Sequence, residues 1–300
     1  MARELEFVVP QLYHERKLCA FLRGDAQISY ALCATLRHTP GAVTRGGEIV
    51  RSIDRVHAGD VIRVRFPEER SSLTATEMAL DVLYLDEDLL AVNKPGCLAT
   101  HPSHGHPDDT LANGVAFYLA AHGLEGDFHA VGRLDKGTSG VAVCALHAYA
   151  ASRMAGQGRK TYLALTAGEL HGAGTVDAPI FRPDPNKTTR CCDPRGESAV
   201  TDYRVLRSGG GYSLVLLRPR TGRTHQIRVH MASLGAPLVG DSLYGEAIPA
   251  LGRHLLHCAR VDVPHPVTGE MLRLEAPLPP EFSAALREAF GTDFVNIQDF

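Results

Sequence analysis

VGRLDKGTSG, residues 131–140, followed at once by the apolar run VAVCAL (141–146), is the stretch on which the reading of this chain turns. Asp135 comes two residues after Arg133 and just before a Lys-Gly-Thr-Ser-Gly turn, so a carboxylate rides on a glycine-rich loop that feeds a strand. A turn aspartate often does no more than cap the backbone. Here Gly137 and Gly140 permit a tight loop, and a second dense polar run, RPRTGRTHQIRVH (218–230), lies further along. Arg223 in that run can pair with Asp135, which would keep the carboxylate ionised and fix its direction.

Bulk properties narrow the classes. Three hundred residues suffice for one large domain or two unequal ones. Apolar and charged shares of 44% and 22% are those of an ordinary globular protein. No apolar run approaches the roughly 20 residues of a membrane span. The opening MARELEFVVP lacks the apolar core and cleavage site of a signal peptide. Seven scattered cysteines with no CxxC pair point to reduced thiols in a cytoplasmic protein, against a disulfide framework or zinc ribbon. Cys191-Cys192 reads as loop. The net charge of -3 argues against a broadly basic nucleic-acid surface. Arg218, Arg220, Arg223 and Arg228 nevertheless crowd together, with Lys187 and Arg190 upstream, so a basic cleft on an acidic body is expected.

Residues 1–68 read as a small α/β module, centred on 11–66. RKLCAFLRG (16–24) and SYALCATLRH (29–38) have helical length and spacing, AVTRGGEIV (42–50) is a hairpin with a Gly-Gly turn, and VIRVRF (61–66) alternates as a strand. Residues 69–79, charged and poor in bulky apolar side chains, read as a linker. From residue 80 to 300, strands are expected at 80–86, 89–93, 141–146, 160–166, 197–206, 212–218, 254–263 and 271–275, and helices at 110–122, 147–155, 224–234 and 280–289. Hairpin-like turns such as Ser208-Gly209-Gly210-Gly211 make this an α+β layout: a mixed, mostly antiparallel central sheet with flanking helices. There are no repeats, and no Rossmann or P-loop glycine pattern.

In order along residues 80–280, six blocks resemble the RluA-type RNA pseudouridine synthases. They are DVLYLDEDLLAVNKPGCLATHP (81–102), GRLDKGTSG (132–140), KTYLALTAG (160–168), ESAVTDYRVL (197–206), TGRTHQIRVHMASLGAPLVGDSLYG (221–245) and LLHCARVDVPHPVTGE (255–270). Residues 11–66 resemble, in degenerate form, the small ribosomal-protein-type RNA-binding module that precedes many such enzymes. Gly132 and Ala236 stand where the family commonly has histidine, and Cys191-Cys192 where it usually has Met or Val.

The resemblance implies conversion of uridine to pseudouridine in ribosomal or transfer RNA, with no cofactor or metal; nothing in the sequence calls for more than a monomer. The uracil N1–C1′ bond breaks, the base turns while held, and C5 bonds to C1′. A single carboxylate, Asp135, is then enough, as nucleophile at sugar or base or as base at C2′; glycoside hydrolysis would call for two. The resemblance also implies that Tyr162 stacks on the uracil and helps remove the C5 proton, that Arg223 pairs with Asp135, that Ile227 walls the base, and that Arg133 fills the place the flipped nucleotide leaves. Lys94 and Lys160 read as structural or phosphate-near. A non-catalytic RNA-binding relative is the alternative. His104-x-His106-x-Asp108 in HPSHGHPDD (101–109) imitates a metallohydrolase cluster, but Asp109 stands where that motif needs histidine, so it reads as a solvent loop.

Overall fold

The computed structural model describes residues 3–69 and 71–291. Its first unit comprises β1 (Glu4–Val8), α1 (Leu18–Gly24), α2 (Tyr30–His38), β2 (Val43–Arg45), β3 (Glu48–Ile49) and β4 (Val61–Arg65). In β4 every second residue, Ile62 and Val64, is fully buried, so one face of the sheet β1-β4-β2-β3 closes on Phe21, Leu22 and Leu36 of the two helices. β1 lies outside the expected 11–66. Only Leu5 of its residues is buried, and Glu4 and Glu6 reach across to Arg65 and Arg63, so its partners, not its own composition, make it a strand.

The remainder runs β5 (Val82–Leu85), β6 (Leu89–Lys94), α3 (Leu111–Ala121), β7 (His129–Ala130), β8 (Ser139–Ala145), α4 (Ala148–Met154), β9 (Arg159–Ala167), β10 (Ala173–Asp177), β11 (Ile180–Phe181), β12 (Cys191–Cys192), β13 (Val200–Gly209), β14 (Tyr212–Pro219), α5 (Gln226–Ser233), β15 (Leu256–Pro264), β16 (Met271–Glu275) and α6 (Pro280–Phe290). The large sheet has the order β10-β13-β14-β9-β15-β8-β6-β5, with β7 added to β8 and β16 to β15. Its pairings are antiparallel except β8 with β15, the α+β arrangement expected.

Period two divides the sheet's residues between two cores. Tyr162 and Ala164 of β9, with Val215 and Leu217 of β14, face α3, α4 and α5; Leu163, Leu165, Leu214 and Leu216 face Phe282 and Leu286 of α6. That split aims Tyr162 at the α5 side. Gly140 lets β8 approach β15: a β-carbon there would lie 2.2 Å from the Cys258 carbonyl oxygen, and its φ is +107°. The Asp135 loop therefore enters the middle of the sheet directly.

Two sequence expectations change. Cys191-Cys192 is strand, not loop: β12 pairs with β11, and Cys192 packs toward Ile180, Ala199 and Val229. β10, in the edge sequence AGTVD, has a single buried residue and too weak a pattern to read. The two units meet through Tyr149, which stacks on Phe66 at 4.8 Å and donates to the Ala26 carbonyl, and through Arg3, which holds Asp88 with two hydrogen bonds of 2.8 and 3.0 Å. Within the segment expected as linker, Glu69 accepts from the Ala148 amide and bonds His129, and the Thr74 carbonyl accepts from Asn113. Among the described residues no helix is long and apolar enough to cross a membrane.

Candidate active site

The loop carrying Asp135 is gripped by its backbone. Buried Thr100 donates to the Leu134 carbonyl at 2.8 Å, and the Asp135 carbonyl accepts from the Thr138 amide at 3.0 Å. Lys94, wholly buried, donates to the carbonyls of Pro95, Leu98 and Lys136, so all three of its N–H groups have an acceptor. Burial, and then Arg253, push its pKa down to about 7. Arg253 donates to the Gly137 carbonyl at 3.0 Å and is itself held by Glu281 at the start of α6. Thr138 bonds His254, and Ser139 bonds His257, at 3.0 Å each. Burial holds both imidazoles far below their ordinary range, His254 at about 3 and His257 at about 4, so they are neutral partners. The Thr-Ser-Gly sequence thus has a local reason at each position: two side-chain anchors and one close approach. A loop fixed at so many points holds its side chain at one place.

The arginine facing Asp135 is not the one expected. Arg228 Nη1 lies 3.7 Å from Asp135 Oδ2, while Arg228 forms a two-pronged pair with fully buried Asp241 at 2.7 and 2.7 Å. Asp241 also accepts from the Leu243 and Tyr244 amides. Burial opposes both charges, but their mutual bond outweighs it, lowering the Asp241 pKa and raising that of Arg228. The Tyr244 ring lies 5.1 Å from the Arg228 guanidinium, and its hydroxyl meets His225 and the Arg190 amide. Arg223 instead points to Glu197 and donates to the Ser198 carbonyl. The reason is position: Arg223 lies in the exposed lead-in to α5, whereas Arg228 lies within the helix, which is buried from Gln226 to Met231.

Asp135 opens into a cleft of about 700 Å³ whose lining includes Arg133, Tyr162, Ile227, Arg223 and Lys160. Tyr162 and Ile227 are 7% and 6% exposed, enough to present an edge to the cleft while joining the core behind it. Burial first, then Cys258 and Asp135, push the Tyr162 pKa well above its ordinary value, so the phenol is protonated in the resting site. Arg133 is exposed at the rim, and after burial its charge is what lowers the pKa of His101. The expected basic cleft is largely matched by acids: Arg220 pairs with Asp202, Arg223 with Glu197 and Arg228 with Asp241. In the histidine loop, both ring nitrogens of His106 are engaged, by Asp109 at 2.7 Å and by Lys136 at 3.0 Å. Groupings close enough to hold a metal occur elsewhere, at Glu69–Asp127–His129 and Asp86–Asp88–His265, away from the cleft lining.

A carboxylate on a fixed loop, an arginine paired behind it, a phenol and an aliphatic side chain thus line one cleft. Residues 88–233 match the family of RNA pseudouridylate synthases. The chain is 38% identical over 272 residues to the uncharacterized RNA pseudouridine synthase YjbO of Bacillus subtilis, covering 88% of this chain and 96% of that protein. It is 37% identical over 268 residues to ribosomal large subunit pseudouridine synthase D of Xanthomonas campestris, covering 81% and 80%. Among solved structures, human RNA pseudouridylate synthase domain containing 1 superposes with a TM-score of 0.56 at 29% identity, covering 70% of this chain and 90% of that one. The chain belongs to the RluA-type RNA pseudouridine synthases, enzymes that isomerise uridine in RNA.

Proposed function

We propose that Asp135 is the catalytic carboxylate and that the chain converts a uridine of ribosomal RNA to pseudouridine without a cofactor. The observation that carries this is the convergence of Asp135, Tyr162 and the adjacent Ile227 and Arg228 on one cleft from three separate segments. Isomerisation is redox-neutral and consumes no water: N1 gains the hydrogen that C5 loses as C1′ passes from one to the other. Asp135 attacks the sugar or base, or removes the C2′ proton, and Arg228 faces it from 3.7 Å. Tyr162 stacks on the uracil, a contact worth about 1–3 kcal/mol. Because its phenol starts protonated, it takes the C5 proton only as its own proton leaves for a neighbour, and the Asp135 carboxylate is the acceptor within its electrostatic reach. Ile227 walls the base, and Arg133 at the rim fills the vacated stack. Arg223 serves the RNA-facing rim rather than the carboxylate. The first unit adds RNA contacts outside the cleft, and the enzyme works as a monomer. Large-subunit ribosomal RNA is the first substrate to try, being named in one of the relatives above.

The test is a pseudouridine map of total RNA from cells carrying the wild-type gene and the Asp135→Asn gene. Loss of one or a few sites names the substrate and assigns the carboxylate. An unchanged map, with the variant folded and expressed, removes the catalytic reading and leaves RNA binding.

A further inference from the structure

The cations around the cleft are provided for, apart from Arg133, exposed at the rim, and Lys160. Lys94 has three carbonyls, Lys136 has His106, and Arg220, Arg223, Arg228 and Arg253 each have a carboxylate. Lys160 has neither a hydrogen bond nor an ion pair among the described residues. It lies on β9 two residues before Tyr162, so both side chains share the cleft face, and it is partly buried. Its ammonium occupies the space that Gly132 leaves empty: a β-carbon on Gly132 would lie 2.9 Å from Lys160 Nζ, and the Gly132 φ of +71° suits a residue without one. The neighbouring charge-bearing group is the Cys258 thiol, whose pKa of about 11 leaves it neutral, and burial lowers the Lys160 pKa in turn.

A partly desolvated ammonium with no counter-charge gains most when an anionic oxygen arrives. The substrate class already proposed supplies such oxygens at every nucleotide. We infer that Lys160, reaching into the gap at Gly132, takes a backbone phosphate of the RNA beside the target uridine. The inference rests on the functional reading above and deepens it by fixing one point of substrate contact. Exposed Arg133, one residue beyond Gly132, extends the same positive strip to the cleft rim. Tyr162 and Lys160, on adjacent same-face positions of one rigid strand, then hold the base and its backbone in fixed relation.

The experiment measures binding of a large-subunit ribosomal RNA transcript by Asp135→Asn protein, with and without Lys160→Met, across a salt series. Losing one phosphate contact should weaken binding roughly tenfold and reduce the slope of log affinity against log salt by about 0.7–0.9. Lys160→Arg should restore the slope. Should the methionine variant fail to fold, Lys160→Gln serves in its place. A wild-type slope with weakened affinity, as a contact to a uracil carbonyl or a packing role would give, overturns the inference. So does unchanged affinity. Wild-type protein that forms pseudouridine while Lys160→Met keeps its slope sinks this inference alone; wild-type protein that forms none sinks the functional reading with it.

Discussion

Two loops contribute to the cleft, residues 131–138 and residues 101–109, and both carry the residue types of an active site. They differ in what lies behind them. The Asp135 loop has the carbonyls of Leu134, Lys136 and Gly137 bound by side chains at Thr100, Lys94 and Arg253 that are themselves buried. The histidine loop folds on itself, with Ser103 and His106 exchanging backbone bonds and His106 meeting Asp109 and Lys136 at the surface. Functional side chains mark a site when their backbone is fixed from the interior; the same side chains on a self-contained surface turn are solvated.

Asp135→Asn puts the comparison to its hardest test. The carboxylate is 30% exposed and its nearest charge is 3.7 Å away, so melting temperature should hold while turnover falls at least ~10³-fold. Retained turnover on the mapped RNA would break the contrast at once. Arg228→Met leaves buried Asp241 unpaired and should cost about 3–5 kcal/mol of stability in denaturant unfolding, together with most activity. Thr100→Val strips the Leu134 carbonyl of its donor: a loss of about 1–3 kcal/mol is expected, with reduced turnover because the loop loosens. A stable, fully active Thr100→Val enzyme would mean that the interior grip does not position Asp135.

Away from both loops, the Glu69–His129 contact provides a pH readout. Its hydrogen bond to Glu69 raises the His129 pKa against burial, and that bond plus the Ala148 amide lowers the Glu69 pKa against burial. Protonated His129 is therefore stabilised by folding. The contribution is full below the unfolded histidine pKa of about 6.5 and is lost as pH rises through the raised folded value. Glu69→Gln should remove up to ~1 kcal/mol at about pH 6 and much less at about pH 9, read from melting at both. Smallest of all, His106→Ala should stay within ~0.5 kcal/mol and leave turnover near wild type; a large loss of turnover would give the histidine loop a role its surface bonds do not suggest.

The regular elements of the large sheet were legible because period two and period 3.6 are local. KTYLALTA holds a short continuous apolar run, so β9 reads as a strand buried on both faces, and which face Tyr162 takes comes from the fold. β1 and β10 were not legible, since one buried residue each leaves no pattern and their strand state comes from a neighbour's edge. The Lys94 and Arg253 anchors were also hidden: each binds a loop carbonyl more than forty residues away, and carbonyls carry no sequence signature.

By itself the sequence determined the family, the mixed sheet and the place of Asp135, because a carboxylate on a Gly-Thr-Ser-Gly turn ahead of an apolar strand is a contiguous pattern. Only the tertiary structure decided which arginine faces it. Arg223 and Arg228 share one signature, and residue type cannot separate them. α5 is buried all round from Gln226 to Met231, which takes Arg228 inside; Asp241 thirteen residues on fixes it with two hydrogen bonds, and Glu197 holds Arg223 outside the helix.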